Sequence, residues 1–237
     1  MRLRILYDNT IAKRGFTAGW GFSCLINENL LFDTGEYPEI LAHNMDLMGV
    51  KSKSISKIVI SHDHYDHNGG LNWLLSEKPS IDVYIGTEFS SETILGIERN
   101  NGNICYAEDW TEIVKDIFLS EEFTFNYKGL KMSERGIVMK TVKGIVLLTG
   151  CSHPGILKII RSVREHFKEE EFLFAAGGFH LKDTDEESIK EIVKQIKKAG
   201  VKQISATHCS GDVAIDIFKF YYGNNFISLG AGREINI

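Results

Sequence analysis

Three histidines and two aspartates fall within one short stretch, Ser61-His62-Asp63-His64-Tyr65-Asp66-His67-Asn68-Gly69-Gly70. Neutral imidazole and carboxylate are the ordinary ligands of zinc, iron and manganese, so the composition of this stretch points to cation binding. Residues two apart lie on different faces of a helix, and His62 with His64 therefore suits an irregular turn wrapped around an ion. The apolar run Ile58-Val59-Ile60 before it and the helical pattern Leu71-Asn72-Trp73-Leu74-Leu75 after it make the turn a strand-end loop. A solvated polar loop would explain one histidine. It does not explain so many side chains of one chemistry in a single turn.

The elements that must position these ligands follow the same plan three more times. Gly144 to Thr149 reads as a buried strand running into Gly150-Cys151-Ser152-His153-Pro154-Gly155. Phe172 to Ala176 leads into Gly177-Gly178-Phe179-His180, and Lys202 to Ala206 leads into Thr207-His208-Cys209-Ser210-Gly211. Strand ends of layered α/β folds gather on one edge of a sheet, where ligands usually bind. His153 and His208 are thereby candidate ligands, and His180 is a third candidate of open role.

Elsewhere the pattern predicts a first strand over Leu3 to Tyr7, and a hairpin of Gly21 to Ile26 and Leu30 to Asp33 turned at Asn27-Glu28-Asn29. Helices are predicted over 38–48, 156–168, 184–199 and 213–222, the third with a Thr184-x-x-Glu187 capping box. Further strands are predicted over 81–85, 123–127 and 137–142, with a closing one over 226–229. From Gly86 to about Tyr106 periodicity fails. The stretch of about 86–122 is expected to be a substrate-facing lid or insertion within a single domain covering 1–237.

Composition sets the outer limits. The 237 residues are 43% hydrophobic and 25% charged, without a Pro/Ser linker, low-complexity tract or fixed-period repeat. The net charge of −5 disfavours a nucleic-acid surface. The longest apolar runs are too short to cross a bilayer, and Met1 to Leu6 opens as a strand pattern instead of a signal peptide, so the expected location is the cytoplasm. Cys24, Cys105, Cys151 and Cys209 show no Cys-x-x-Cys spacing, which argues against a zinc ribbon or iron–sulfur cluster. The oligomeric state is left open.

The pattern His-x-His-x-Asp-His at His62, His64, Asp66 and His67 resembles the signature of the metallo-β-lactamase superfamily. Phe32-Asp33-Thr34-Gly35, Thr149-Gly150-Cys151-Ser152-His153-Pro154-Gly155-Ile156, Gly177-Gly178-Phe179-His180-Leu181 and Thr207-His208-Cys209-Ser210-Gly211 extend the likeness to one branch. That branch is the family of 7,8-dihydropterin-6-yl-methyl-4-(β-D-ribofuranosyl)aminobenzene 5′-phosphate synthases. The resemblance implies a four-layer αββα sandwich with mixed sheets and two divalent metal ions, zinc foremost, with iron or manganese as alternatives. It implies His62, His64 and His153 around one ion and Asp66, His67 and His208 around the other, with Asp33 supporting from behind. A water shared by two such ions is acidified towards neutrality, and the ions clamp phosphate oxygens as charge builds.

The implied activity is hydrolysis, or a synthase reaction releasing diphosphate, on a phosphorylated small molecule, with Asp66 and His180 as catalytic candidates. Synthesis of a methanopterin-type cofactor holds literally only in an organism that makes one. Many relatives carry Thr-Gly-Asp, the aspartate bridging the metals, where this chain has Thr149-Gly150-Cys151. Cys151 is thus either a replacement thiolate ligand or a bystander. His180 is open to three uses: hydrogen bonding a substrate oxygen, orienting a ligand, or ligating.

Three readings compete. A diiron redox protein of this fold would carry glutamate where His64 stands. A cysteine hydrolase pairing Cys151 with His153, or Cys209 with His208, asks near neighbours in sequence to meet in a geometry they rarely reach. A non-catalytic metal-binding or sensing domain is separated from the enzyme by assay alone.

Overall fold

The computed structural model describes residues 1–237. In chain order the first half contains β1 (Arg2–Tyr7), β2 (Ser23–Ile26), β3 (Leu30–Phe32), α1 (Pro38–Leu47), β4 (Lys57–Val59), α2 (Tyr65–Asn68) and α3 (Leu71–Glu77). Then come β5 (Asp82–Tyr84), α4 (Ser91–Arg99), β6 (Asn103–Cys105), β7 (Glu112–Val114), β8 (Ile117–Leu119), β9 (Phe123–Tyr127) and β10 (Leu130–Glu134). The remainder is β11 (Ile137–Thr141), β12 (Gly144–Thr149), α5 (Ile156–His166), β13 (Phe172–Gly178), α6 (Glu186–Lys198), β14 (Gln203–Thr207), α7 (Asp212–Tyr222) and β15 (Glu234–Asn236).

These elements form two compact units interleaved along the chain. The first comprises 1–107, 122–135 and 229–237; the second comprises 108–121 and 136–228. The first unit has a seven-stranded mixed sheet in the order β15-β1-β2-β3-β4-β5-β6, plus the β9–β10 hairpin. Leu25 pairs with Leu31, Leu31 with Ile58, and Ile58 with Val83, so these four share one face. They join a buried cluster with Leu41 and Met45 of α1, Leu71, Leu74 and Leu75 of α3, and Ile97 of α4. Pro38 starts α1, where its missing N–H costs nothing, and Ser90 caps α4 by accepting from the Thr93 amide.

The second unit has a six-stranded sheet in the order β14-β13-β12-β11-β8-β7. Strands β12, β13 and β14 run parallel, joined by α5 and α6, and their buried runs such as Val146-Leu147-Leu148 are those of strands covered on both faces. Helix α5 turns Ile156, Ile159, Ile160 and Val163 inward, and α6 turns Ile189, Val193 and Ile196 inward, each at helical spacing. Thr149 pairs with Gly177, and Gly178 with Thr207, so the three strands end side by side.

Several expectations need correction. The stretch from Gly86 to Tyr106 is not irregular: it holds α4 and β6, whose polar exposed faces hid their periodicity. Helix α6 is capped one residue later than expected, by Asp185, which accepts from the Ser188 amide and hydroxyl. The residues 226–229 make only an isolated bridge to Ile204, and the closing strand is Glu234–Asn236, paired with β1. No helix is long and apolar enough to cross a membrane.

Candidate metal centre

In the first unit the ligand loop is braced by one buried carboxylate. Asp33 follows β3 with a left-handed backbone, φ 58°, and accepts from the Ser61 amide at 2.7 Å and the Ser61 hydroxyl at 2.8 Å. The same carboxylate meets His67 Nδ1 at 2.7 Å. Burial pushes the Asp33 pKa up, against the lowering pull of His67 and Ser61. Ser61 Oγ lies 2.9 Å from His62 Nδ1, so His62 and His67 are both held by their Nδ1 edges.

That leaves the other ring edges to face one another. His62 Nε2 lies 3.1 Å from His64 Nδ1, and His67 Nε2 lies 3.6 Å from Asp66 Oδ2. Converging imidazole nitrogens and a carboxylate, with the far nitrogens fixed by oxygen partners, suit a bound cation. Tyr127 of β9 packs edge-on against His64, with ring centroids 4.7 Å apart. Gly69 allows this loop to close tightly, since a Cβ there would meet the Glu36 carbonyl at 1.9 Å.

Asp63 does a different job from its neighbours. It takes the Asn68 amide at 2.7 Å, the Thr93 hydroxyl at 2.6 Å and the Ser90 amide at 2.6 Å, tying the loop to the start of α4. Both this brace and the Ser61 relay escaped the sequence reading. Ser90-x-x-Thr93 signalled a helix cap, but nothing signalled that Asp63 would reach it across 27 residues.

In the second unit the ends of β12, β13 and β14 carry the remaining candidates. The ligating atoms of Cys151, His153 and His180 lie within 4.8 Å of one another, as do those of Cys151 and His208. The rings of His153 and His180 are 4.4 Å apart. Ser152, His180 and His208 all take left-handed backbone conformations, φ 63°, 50° and 51°, of the kind concentrated at functional sites. Ser152 Oγ and Thr149 Oγ1 both donate to the Gly178 carbonyl, at 2.7 and 3.0 Å, and the Phe179 amide donates to Ser210 Oγ at 3.0 Å.

Cys209 is buried beneath this edge, its thiol 3.6 Å from the Cys151 carbonyl. Burial alone would raise its pKa, but contacts with Cys151, His180 and His208 outweigh that and draw it down. His43 and His166 belong to neither donor set. His43 meets the Gly15 carbonyl, and His166 stacks on Trp110 at 4.3 Å.

Residues 23–91, which include the ligand loop, match the family described as the metallo-beta-lactamase superfamily. The chain is 31% identical to the 7,8-dihydropterin-6-methyl-4-(beta-D-ribofuranosyl)-aminobenzene-5′-phosphate synthase of Methanocaldococcus jannaschii, over 89% of this chain and 85% of that protein. The chain belongs to the metallo-β-lactamase superfamily. An uncharacterized protein of the same organism is 30% identical over 99% of this chain and its whole length. Among solved structures, a metal-dependent hydrolase of the beta-lactamase superfamily superposes with a TM-score of 0.85 at 29% identity, over 100% of this chain and 99% of that one. The metallo-β-lactamase fold implied by the sequence is therefore the fold of this chain. Superfamily members are generally enzymes and typically bind divalent metals, and the donor chemistry of both edges fits such ions.

Proposed function

We propose that this chain is a metal-dependent enzyme acting on a phosphorylated or diphosphate-bearing small molecule, with a reaction like that named for its synthase relative. In this reading the two donor sets serve one pair of divalent ions. His62, His64 and His153 hold one ion; Asp66, His67 and His208 hold the other; Cys151 is either a further ligand or a neighbour. Divalent ions supply charge to stabilise phosphate oxygens and acidify water. The chain's own residues do the positioning. Ser61 holds the imidazole of His62, Asp33 that of His67, and Asp63 anchors the loop. His180, exposed at the end of β13, is assigned a hydrogen bond to a substrate oxygen.

The observation that carries the reading is the convergence of His62 Nε2 on His64 Nδ1, and of His67 Nε2 on Asp66, behind which Ser61 and Asp33 fix the other ring edges. The facing groups are within hydrogen-bond or ion-pair distance of one another, and the same nitrogens and carboxylate, gathered in one short stretch, are the donors a divalent cation takes. The test is metal analysis of the purified protein combined with assays for phosphodiester hydrolysis and diphosphate release. Bound metal with metal-dependent turnover supports the enzyme. Bound metal with no turnover on any phosphoester or diphosphate overturns it in favour of a binding or sensing module, and iron with redox activity would point to diiron chemistry.

A further inference from the structure

The parallel strands of the second unit lead into two cysteines that the sheet alone would hold apart. Cys151 follows β12 and Cys209 follows β14, and β13 lies between those strands. Neighbouring strands are about 4.8 Å apart, which puts residues at the ends of the two outer strands roughly 9–10 Å from each other. A disulfide needs Cα atoms within about 7 Å.

The loops close that distance. The Cys209 thiol lies 3.6 Å from the Cys151 carbonyl and also meets the Cys151 thiol in a side-chain hydrogen bond. Ser152 and His208, each adjacent to one of the two cysteines, take left-handed conformations, φ 63° and 51°, so both loops leave the strand direction at once. The middle strand ends in Gly178, where a Cβ would stand 2.6 Å from Cys209 Sγ and 3.2 Å from Cys151 Cα. Any side chain at 178 would fill the gap through which Cys209 reaches Cys151.

All four cysteines are free, and the other two belong to the first unit. Burial pushes the Cys24 thiol up to about 12, which keeps it protonated and unreactive. Cys151 and Cys209 are 3% and 4% exposed, which closes them to bulky reagents. The ligating atoms of His153, half-buried, and His180, exposed, lie within 4.8 Å of Cys151 Sγ, so a molecule as small as a peroxide has its shortest approach there.

We propose that Cys151 and Cys209 are a modification site for hydrogen peroxide, closing to a reversible disulfide across the end of β13. Peroxide transfers one oxygen to the Cys151 sulfur, giving a sulfenic acid and a first water. The Cys209 sulfur then attacks: the S–S bond forms as the S–OH bond breaks, and the hydroxyl leaves with the Cys209 proton as a second water. One peroxide is reduced and the two thiols together give up two electrons. The product joins residues 58 apart in the chain and takes the Cys151 sulfur away from the imidazoles of His153, His180 and His208. The proposal does not rest on the phosphate chemistry above. Its rival is a pair of small buried side chains that only fill space.

The test uses full-length protein carrying Cys105→Ser, which removes the half-exposed thiol of the first unit. The protein is treated with hydrogen peroxide, its free thiols are titrated after denaturation, and its peptides are mapped by mass spectrometry without reduction. Free thiols should fall from about three to about one per chain, the map should link Cys151 to Cys209, and dithiothreitol should restore all of the lost thiols. Adding Cys209→Ser should abolish the link and leave any oxidation of Cys151 without a partner. The map of the Cys105→Ser protein decides the matter by itself if the double variant does not fold. Retention of all three thiols, a loss that dithiothreitol does not reverse, or a link that involves Cys24 would each overturn the proposal.

Discussion

The two ligand-bearing edges are built on opposite principles. In the first unit four candidate ligands come from one loop after β4, and a single buried carboxylate, Asp33, holds that loop through Ser61 and His67. In the second unit the candidates come from three loops after β12, β13 and β14, and they are gathered by parallel register and by glycine–backbone contact. A contiguous loop needs side-chain bracing to make its imidazoles converge. Separate strand ends need their backbones brought close, and there the hydroxyls of Thr149, Ser152 and Ser210 brace backbone groups instead of imidazoles.

The comparison breaks most sharply at Asp66. Asp66→Ala should lower turnover by roughly 10²–10⁴-fold while near-native circular dichroism is retained, since the residue lies in the one-turn helix α2, outside both sheets; an active variant would remove the two-metal reading. Asp33→Asn should come next. The amide keeps one acceptor oxygen but cannot serve His67 and both Ser61 donors equally, so metal affinity measured by chelator competition should fall about 10–100-fold. Unchanged affinity would deny the brace its role.

Gly178→Ala probes the other edge. Its Cβ would meet the Gly150 carbonyl at 2.4 Å and Cys209 Sγ at 2.6 Å, so denaturant unfolding should show a loss of about 1–3 kcal/mol. A neutral effect would mean that this edge is not set by close backbone approach.

A smaller effect belongs to Glu122, which supplies no candidate ligand to either edge. Burial raises its pKa, but donors from Ser133, Thr87 and Arg135 outweigh that and hold it below the usual carboxylate range. A depressed folded pKa adds stability that is present above the unfolded value and disappears as pH falls through the folded one. Glu122→Gln should therefore cost about 1–2 kcal/mol at neutral pH, and the gap from the parent should close below roughly pH 4. A gap independent of pH would show that the charge is immaterial. The smallest expected effect is at Cys151. Cys151→Ser should leave metal content nearly unchanged, and a large loss would make the thiol a ligand.

Legibility from sequence followed the same division. The first edge was plain because its chemistry is contiguous: His62, His64, Asp66 and His67 need no fold to be seen together. The second was legible only as recurrence, an apolar strand ending in His153, His180 or His208, and the resemblance to a family supplied the grouping. The braces were partly hidden. Asp33 was expected to support the loop, but the Ser61 relay and the Asp63 anchor depend on contacts between residues far apart in the chain. Helix α4 was missed because most of it is solvent-facing, with Ile97 its one fully buried residue. The closing strand was misplaced because β15 is short and half exposed, with no apolar run to announce it.

The central claim is that both edges serve one pair of metals. Metal stoichiometry of the parent, Asp66→Ala, His208→Ala and the double variant tests it most directly. The account predicts about two ions per chain in the parent, loss of the same single ion in each variant, and no further loss when the two changes are combined. Independent, additive losses, or full occupancy in His208→Ala, would contradict it.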